Sequence, residues 1–234
     1  LAEADLRPYA ADALARLGAS ALPAVIRAFD DYDDNETVLA AAAEVAGRIG
    51  DAVAVRPLSR LLMREEADVR LAAVEALGRI NHPDVSLQLM AQFGDPHPAV
   101  RASAVKSLVH LMGTYPEEEV LDALRQSIQS PDPTVRCSAL AVYGKLLGEK
   151  AHDALLLAVR DESHEVRRTA IGLMAEAKHP SLFSVATAAL SDENSRVREA
   201  AVRALASTGS AEALEKLMSL LDDEDMWVRA EAGE

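Results

Sequence analysis

Apolar and small residues recur along this chain at the spacing of one helix face. The segment VRLAAVEALGRI from Val69 has apolar residues at its first, fourth, fifth, eighth, ninth and twelfth positions, which is the pattern of an amphipathic helix with one buried side. Similar segments begin at Leu6, Val38, Val69, Val100, Val135, Val166, Val197 and Val228. The intervals between them are 32, 31, 31, 35, 31, 31 and 31 residues. Such regular spacing predicts a tandem repeat.

A second apolar pattern precedes each of these anchor positions. Seven residues before the anchor stand Leu62, Phe93, Ile128, Val159, Leu190 and Leu221, and eleven before it stand Leu58, Leu89, Leu124, Leu155, Ala186 and Leu217. Positions four residues apart share a helix face. Acidic turns such as Asp161-Glu162-Ser163 separate the two patterns and are typical of helix starts. Each repeat is therefore predicted to be a helical hairpin, and the fold an all-α stack of about seven hairpins with a continuous core.

The repeats resemble a known family at specific residues. These are the 31-residue period, the closing Ala-Leu-Gly-Arg-Ile of Ala76–Ile80, and an Asp six residues before an Arg. The Asp/Arg combinations are Asp95/Arg101, Asp161/Arg167, Asp192/Arg198 and Asp223/Arg229. Together they resemble the short HEAT repeats first associated with phycobilin lyases, over essentially the whole chain. The resemblance implies a right-handed α-α superhelix in which these Asp and Arg residues form a hydrogen-bonded ladder between successive turns.

Three departures from this pattern predict where the ladder is broken or rewired. Leu39 replaces the ladder Arg, and Arg64 and Ser130 replace the ladder Asp. The 35-residue interval holds an extra stretch over residues 114–119. We expect residues 1–234 to form a single solenoid. Because the chain lacks an initiator Met and stops within a repeat at Val228, we expect both ends to be truncated from a longer protein.

Composition narrows the classes of partner. The chain has 24 Lys plus Arg and 38 Asp plus Glu, a net charge of -14, which repels nucleic acid and anionic membranes. Its single cysteine, Cys137, rules out an intrachain disulfide and favours a reducing compartment. No apolar run reaches membrane-spanning length, and the N-terminal residues do not form a signal pattern. A cytoplasmic protein that contacts neither membrane nor nucleic acid is expected.

Reactive side chains do not form a recognisable catalytic or metal motif. The six histidines are His82, His97, His110, His152, His164 and His179, without the spacing of a zinc site. Deoxyhypusine hydroxylase, a HEAT-like enzyme, resembles this chain in architecture, but its repeated His-Glu pairs follow the ladder Arg, whereas His164-Glu165 precedes it and is not repeated. The run from Asp30 to Glu36 lacks the Gly and Glu that an EF-hand loop requires. Cys137 follows Arg136, which is expected to lower the thiol pKa. No cofactor is expected.

One column of charges stands out from this background. The eleventh position of each second helix reads Arg16, Arg48, Arg79, His110 and Lys145 in five consecutive repeats, and the resemblance places second helices on the concave surface. Asp12, Glu44 and Glu75 precede the first three by four residues, a spacing that favours ion pairs on a helix. Two interpretations follow. The column either keeps an exposed face soluble or engages acidic side chains of a partner.

The leading functional hypothesis is a non-catalytic scaffold that binds another protein, with an acidic segment as the expected ligand, along its concave face. Extended repeat stacks offer such a surface, but fold alone does not establish function. The resemblance supplies an alternative, a phycobilin-lyase-like subunit that handles a tetrapyrrole and a client protein. A third hypothesis, nucleic-acid binding in the manner of HEAT-like DNA glycosylases, conflicts with the acidic charge.

Overall fold

The computed structural model describes residues 6–113 and 117–218, and these form helices joined by short turns. The helices are α1 (Arg7–Leu17), α2 (Leu22–Asp31), α3 (Glu36–Ile49), α4 (Val55–Leu61), α5 (Ala67–Leu77), α6 (Pro83–Met90), α7 (Pro98–Met112), α8 (Glu118–Ser127), α9 (Pro133–Leu147), α10 (His152–Ala158), α11 (His164–Glu176), α12 (Leu182–Ala189), α13 (Ser195–Thr208) and α14 (Ala211–Met218). Within those residues there is no strand. The predicted all-α repeat fold is confirmed.

The chain divides into two compact units, Leu1–Ala123 and Leu124–Glu234. In the first unit, α2, α4 and α6 each pack on the helix that follows, and α1, α3, α5 and α7 pack side by side. In the second unit, α10 packs on α11 and α12 on α13, while α9, α11 and α13 lie side by side. Hairpins therefore stack through their second helices within each unit. The expected continuity of one solenoid over residues 1–234 stays a prediction.

The predicted apolar positions form the core, with one difference between the units. At eleven residues before the anchor, Leu58, Leu89 and Leu155 are at most 1% exposed. At seven residues before it, Phe93 in unit 1 is fully buried, whereas Val159 in unit 2 is only half-buried. The difference arises because α10 and α12 leave an open groove of about 660 Å³ between them, to which Val159 is exposed.

Helix ends follow the polar and glycine signals of the sequence. The Asn35 side chain accepts a hydrogen bond from the backbone N–H of Val38 and caps α3, which satisfies one of the free donors of its first turn. At the other end, Gly50 has φ 73°, a left-handed conformation that is accessible to glycine without steric cost. Lys178 takes the corresponding position after α11 with φ 49°. Local capping residues therefore determine where α3 begins and where α3 and α11 end.

Close packing of the second helices predicts opposite effects for one substitution at two equivalent glycines. Gly47 and Gly144 both lie nine residues after an anchor valine. A Cβ atom at Gly47 would stand 2.5 Å from the Cα atom of Ala76, whereas one at Gly144 would meet only methyl groups of Leu173 at 3.9 Å. We expect Gly47→Ala to lower the free energy of unfolding by about 1–3 kcal/mol through overpacking.

Gly144→Ala serves as the matched control. It is expected to raise the free energy of unfolding by about 0.5–1 kcal/mol because alanine is the better helix former. Urea denaturation of the two variants measures both effects. Stabilisation by Gly47→Ala would contradict the close approach of α3 and α5.

Candidate functional site

Buried or partly buried Arg–Asp pairs join successive hairpins within each unit, as the family resemblance implied. In unit 1, Arg70 Nε and Nη2 donate to the two carboxylate oxygens of Asp95 at 2.7 and 3.0 Å. In unit 2, Arg136 pairs with Asp161 at 3.0 and 2.7 Å and Arg167 with Asp192 at 2.8 and 2.8 Å. Each Asp stands 25 residues after its Arg. The ladder is thus built from bidentate pairs, which fix distance and orientation together.

The ladder aspartates also organise the turns in which they lie. Asp95 Oδ1 accepts a hydrogen bond from the backbone N–H of His97 at 2.8 Å. Burial on its own raises the pKa of Asp95, but the hydrogen bonds from Arg70 and from His97 outweigh it and hold that pKa below its ordinary value. Hydrogen bonding to the charged form explains the direction of the shift. The charged groups of the ladder bind one another and the backbone of the turns. We therefore assign them a structural role.

At one departure the ladder is rewired. Leu39, which replaces the ladder Arg, is fully buried. Arg64, which replaces the ladder Asp, points back to the preceding turn and donates to the carboxylate of Asp33 at 2.6 Å and to its carbonyl at 2.7 Å. The bridge between these two hairpins is kept with the charges exchanged.

At the second departure, Ser130 Oγ accepts a hydrogen bond from the backbone N–H of Asp132 and so takes over the local role of the aspartate. Residues 114–116 of the extra stretch lie outside the described residues.

All five members of the predicted column are exposed, and within unit 1 they differ in their ion pairs. Arg16 pairs with Asp12 at 2.9 Å. Arg48 also pairs with Asp12, at 2.8 Å, and lies 3.9 Å from Glu44. Among the described residues, Arg79 has no ion pair, although Glu75 precedes it by four residues. In unit 2, Lys145 is exposed in the last turn of α9.

A helix-dipole effect accounts for much of this column. Four of its members lie in the last turn of their helices, where positive charge is favoured by the backbone carbonyl groups. These members are Arg16, Arg48, His110 and Lys145. Arg79 is different because α5 ends at Leu77, so the side chain lies beyond the helix. Arg79 is therefore the member of the column whose charge the local structure explains least.

A groove of about 480 Å³ runs between α3 and α5 beside Arg79. Four of its ten lining residues are alanines, so the side chains between the two helices are short. Its charged lining consists of Glu36, Glu44, Asp68, Glu75 and Arg79. The groove is thus lined by four carboxylates and one guanidinium. This balance was not anticipated from the sequence, because the acidic side chains of α3 and α5 come together only when the two helices pack.

One expectation about a reactive side chain is changed by the structure. Burial raises the pKa of the Cys137 thiol, and the smaller effect of a hydrogen bond from Thr169 Oγ1 to the sulfur opposes this increase. The expected lowering by Arg136 was wrong, because the Arg136 guanidinium is engaged by Asp161 and the thiol is largely buried. A thiol with a raised pKa is a poorer nucleophile.

The histidine and acidic clusters have local structural explanations. In the acidic run, Asp30 pairs with Arg60 at 3.3 Å and Asp33 pairs with Arg64. Within the described residues, no group of three or more His, Cys, Asp or Glu side chains could hold a metal ion. His152 and His179 lie against each other, a contact that sequence reasoning missed. Its only signal was a separation of 27 residues, close to one repeat.

A family model for HEAT repeats matches residues 58–144 and 152–234, which is more than half of the chain. The chain belongs to the HEAT-repeat family. It is 30% identical over 106 residues to the uncharacterized phycocyanin operon protein Z of Pseudanabaena tenuis (strain PCC 7409), an alignment that covers 44% of this chain and 52% of that protein. The chain therefore spans about half the length of this curated relative.

Solved structures share the HEAT-repeat fold at low sequence identity. The karyopherin Kap121p, bound to the extreme C-terminus of the protein phosphatase Cdc14p, has a TM-score of 0.70 and 16% identity over 91% of this chain and 29% of its own. The E. coli protein YibA has a TM-score of 0.59 and 18% identity over 100% and 88% of the two chains. No helix among residues 6–113 and 117–218 is long and apolar enough to cross a membrane.

Proposed function

We propose that this HEAT-repeat chain is a non-catalytic protein-binding module whose partner contacts the second-helix face of unit 1. The observation that carries the proposal is the groove between α3 and α5, with the exposed Arg79 at its edge and no ion pair to that side chain among the described residues. An exposed guanidinium without an ion pair can bind a carboxylate of a partner. Beside short apolar side chains, such a contact would orient a bound segment.

The groove is shaped to admit a peptide segment. Its floor includes Ala40, Ala41, Ala72 and Ala76, and side chains this short allow another chain to approach the helix backbones. Charged groups lie along its edges, where they remain in contact with solvent. Kap121p, which has the same fold, is bound to a chain terminus in its solved structure. That likeness supports the physical feasibility of binding an extended segment on a helical stack.

The charges predict the chemistry of the segment. The acidic-segment hypothesis requires available cations, but Arg16 and Arg48 are already paired with Asp12. An acidic side chain is expected to pair with Arg79, whereas a segment that is acidic throughout would be repelled by the four carboxylates of the groove. We therefore propose a partner segment that places one acidic residue at Arg79 and basic residues along the rest of the groove.

Reversing two charges of this face tests the proposal. We expect Arg48→Glu/Arg79→Glu to weaken binding of a mixed-charge peptide selected from a random peptide library against the wild-type protein. Loss of one or two exposed charge contacts corresponds to a decrease in affinity of about threefold to thirtyfold, and wild-type affinity should fall as salt rises. Isothermal titration calorimetry at two salt concentrations measures both effects.

Arg27→Glu is the matched control for this experiment. Arg27 is exposed on α2, a first helix of the same unit, so its reversal introduces the same kind of charge change but leaves the second-helix face intact. Affinity should be retained in this variant. Equal affinities of the wild type, the double reversal and the control at both salt concentrations would show that the column only solubilises the surface.

A second candidate function rests on the similarity to the phycocyanin operon protein. In this proposal the chain is a subunit that handles a tetrapyrrole and a client protein, in the manner of phycobilin lyases. Titration with a free bilin distinguishes the two candidates. A shifted and strengthened visible absorption band would support the second candidate, whereas an unchanged spectrum combined with peptide binding in the groove would support the first.

A further inference from the structure

Two histidines from successive repeats of unit 2 lie with their rings in contact. His152 is the first residue of α10, and His179 lies in the turn between α11 and α12. The ring centroids are 4.0 Å apart and the ring planes are inclined by 52°. His179 is only 5% exposed. The Nε2 atoms of both rings are buried and have no hydrogen-bond partner among the described residues.

The backbone holds the His179 ring in place. The His179 N–H donates to the carbonyl of Met174 at 2.9 Å, and the preceding Lys178 has the positive φ of a left-handed helix cap. The Nδ1 atom of His179 accepts the backbone N–H of Ser181 at 3.0 Å. The proton of the neutral ring therefore lies on Nε2. The backbone of the turn is thus fixed on the N-terminal side of His179, and the ring cannot turn away without breaking its hydrogen bond from Ser181.

Charge on this pair would be poorly compensated. The nearest charged neighbours in sequence are Asp153, after His152, and Lys178, before His179. Neither ring forms an ion pair in the part of the chain that the structure describes. Burial lowers the pKa of His179 and the proximity of His152 lowers it further, while the backbone of His152 and the carboxylate of Asp153 oppose these effects more weakly. Both the burial and the second imidazole disfavour the protonated form.

We propose that the contact between His152 and His179 is a pH-sensitive joint between two successive repeats of unit 2. At neutral pH the His179 ring is uncharged and packs against the His152 ring. Protonation places a charge in a buried contact beside a second imidazole, so the start of α10 separates from the turn between α11 and α12. Because the folded pKa of His179 is lowered, the stabilisation is present above the ordinary histidine pKa and is lost as the pH falls below it.

Unit 1 contains the same turn without the pair. His82 and His179 each stand eighteen residues before an anchor valine and precede a proline. The Nδ1 atom of His82 likewise accepts a backbone N–H two residues on, from Asp84. The His82 side chain is 32% exposed, however, and the repeat position of His152 is occupied there by Val55. The capping role of the histidine is therefore separable from the pairing.

Hydrogen exchange of the whole chain tests the joint. Backbone amides of α10 and α12 are compared between about pH 7.5 and 5.5, after correction for intrinsic exchange, in the wild type, His152→Val and His179→Asn. The shorter amide side chain of His179→Asn would retain an acceptor for the Ser181 N–H. In the wild type, opening should become more favourable by about tenfold for each pH unit over which it takes up one proton. His179→Asn should lose this dependence and His152→Val should weaken it, because burial alone still lowers the His179 pKa, whereas His82→Asn, the matched control, should keep it.

The titration of the rings gives an independent measurement if a variant fails to fold. In wild-type protein, NMR of the imidazole protons should show His179 titrating below the ordinary histidine pKa. A titration midpoint of His179 at or above that ordinary value would overturn the proposal. The same conclusion would follow from a pH dependence of exchange that is unchanged in His152→Val.

Discussion

Asp95→Ala is expected to lower the free energy of unfolding by about 3–5 kcal/mol, because it leaves the Arg70 guanidinium buried and without its counter-ion. Arg70 and Asp95 are 8% and 7% exposed, so solvent cannot replace the lost contacts. Asp95 also accepts the N–H of His97, and the turn before α7 loses that hydrogen bond. Urea denaturation followed by circular dichroism measures the change.

Asp33→Ala is the matched control, since Asp33 occupies the same repeat position as Asp95. The Asp33 side chain is 72% exposed and pairs with Arg64, so its loss is expected to cost less than about 1 kcal/mol. The double variant Arg70→Leu/Asp95→Leu should be less destabilised than the sum of its single variants, because no unpaired charge remains. Equal effects of Asp95→Ala and Asp33→Ala would show that burial does not strengthen the ladder.

The ladder also predicts acid sensitivity. The pKa of Asp95 is lowered in the folded protein, so its contribution is present above the ordinary aspartate pKa near ~4 and is lost as the pH falls through the lower folded value. The stability of the wild type should therefore decrease more steeply than that of Asp95→Ala in this range.

Leu77→Ala is expected to lower the free energy of unfolding by about 2–5 kcal/mol through the cavity that it leaves. Leu77 is completely buried on α5. Glu75→Ala, two residues away on the same helix, removes an exposed side chain and should change stability by less than about 0.5 kcal/mol. Equal denaturation midpoints for the two variants would show that the helix is rotated from the orientation described above.

The fold could be predicted from the sequence because the apolar residues fall on the same helix faces in successive repeats. Leu58, Leu89 and Leu155 occupy one repeat position and are all buried, so a single register error would have been visible several times. The half-buried state of Val159 could not be predicted, because it depends on the gap between α10 and α12. Apolar periodicity specifies which side of a helix is covered, but it does not specify how closely two neighbouring helices approach.

The candidate site was predictable in position but not in charge balance. The register placed Arg48 and Arg79 on the exposed face, and the ion pair of Arg48 with Glu44 follows from helix geometry. The contact of Arg48 with Asp12 joins residues 36 apart, and it depends on the packing of α1 against α3. The expected lowering of the Cys137 pKa was wrong for the same reason. Sequence adjacency revealed the charge of Arg136, while burial and its partner Asp161 are properties of the packed structure.

The ladder restricts how the length of this protein can change. Among the described residues, Arg70, Arg136 and Arg167 are each paired with an aspartate 25 residues later, in the next repeat. Deletion of residues 137–167, which is 31 residues, would bring Asp192 to that distance from Arg136. A deletion that is a few residues shorter or longer would leave the buried guanidinium facing the wrong side chain. A chain of this kind can therefore change its length during evolution by duplicating or losing complete repeats, because such changes keep its internal ion pairs.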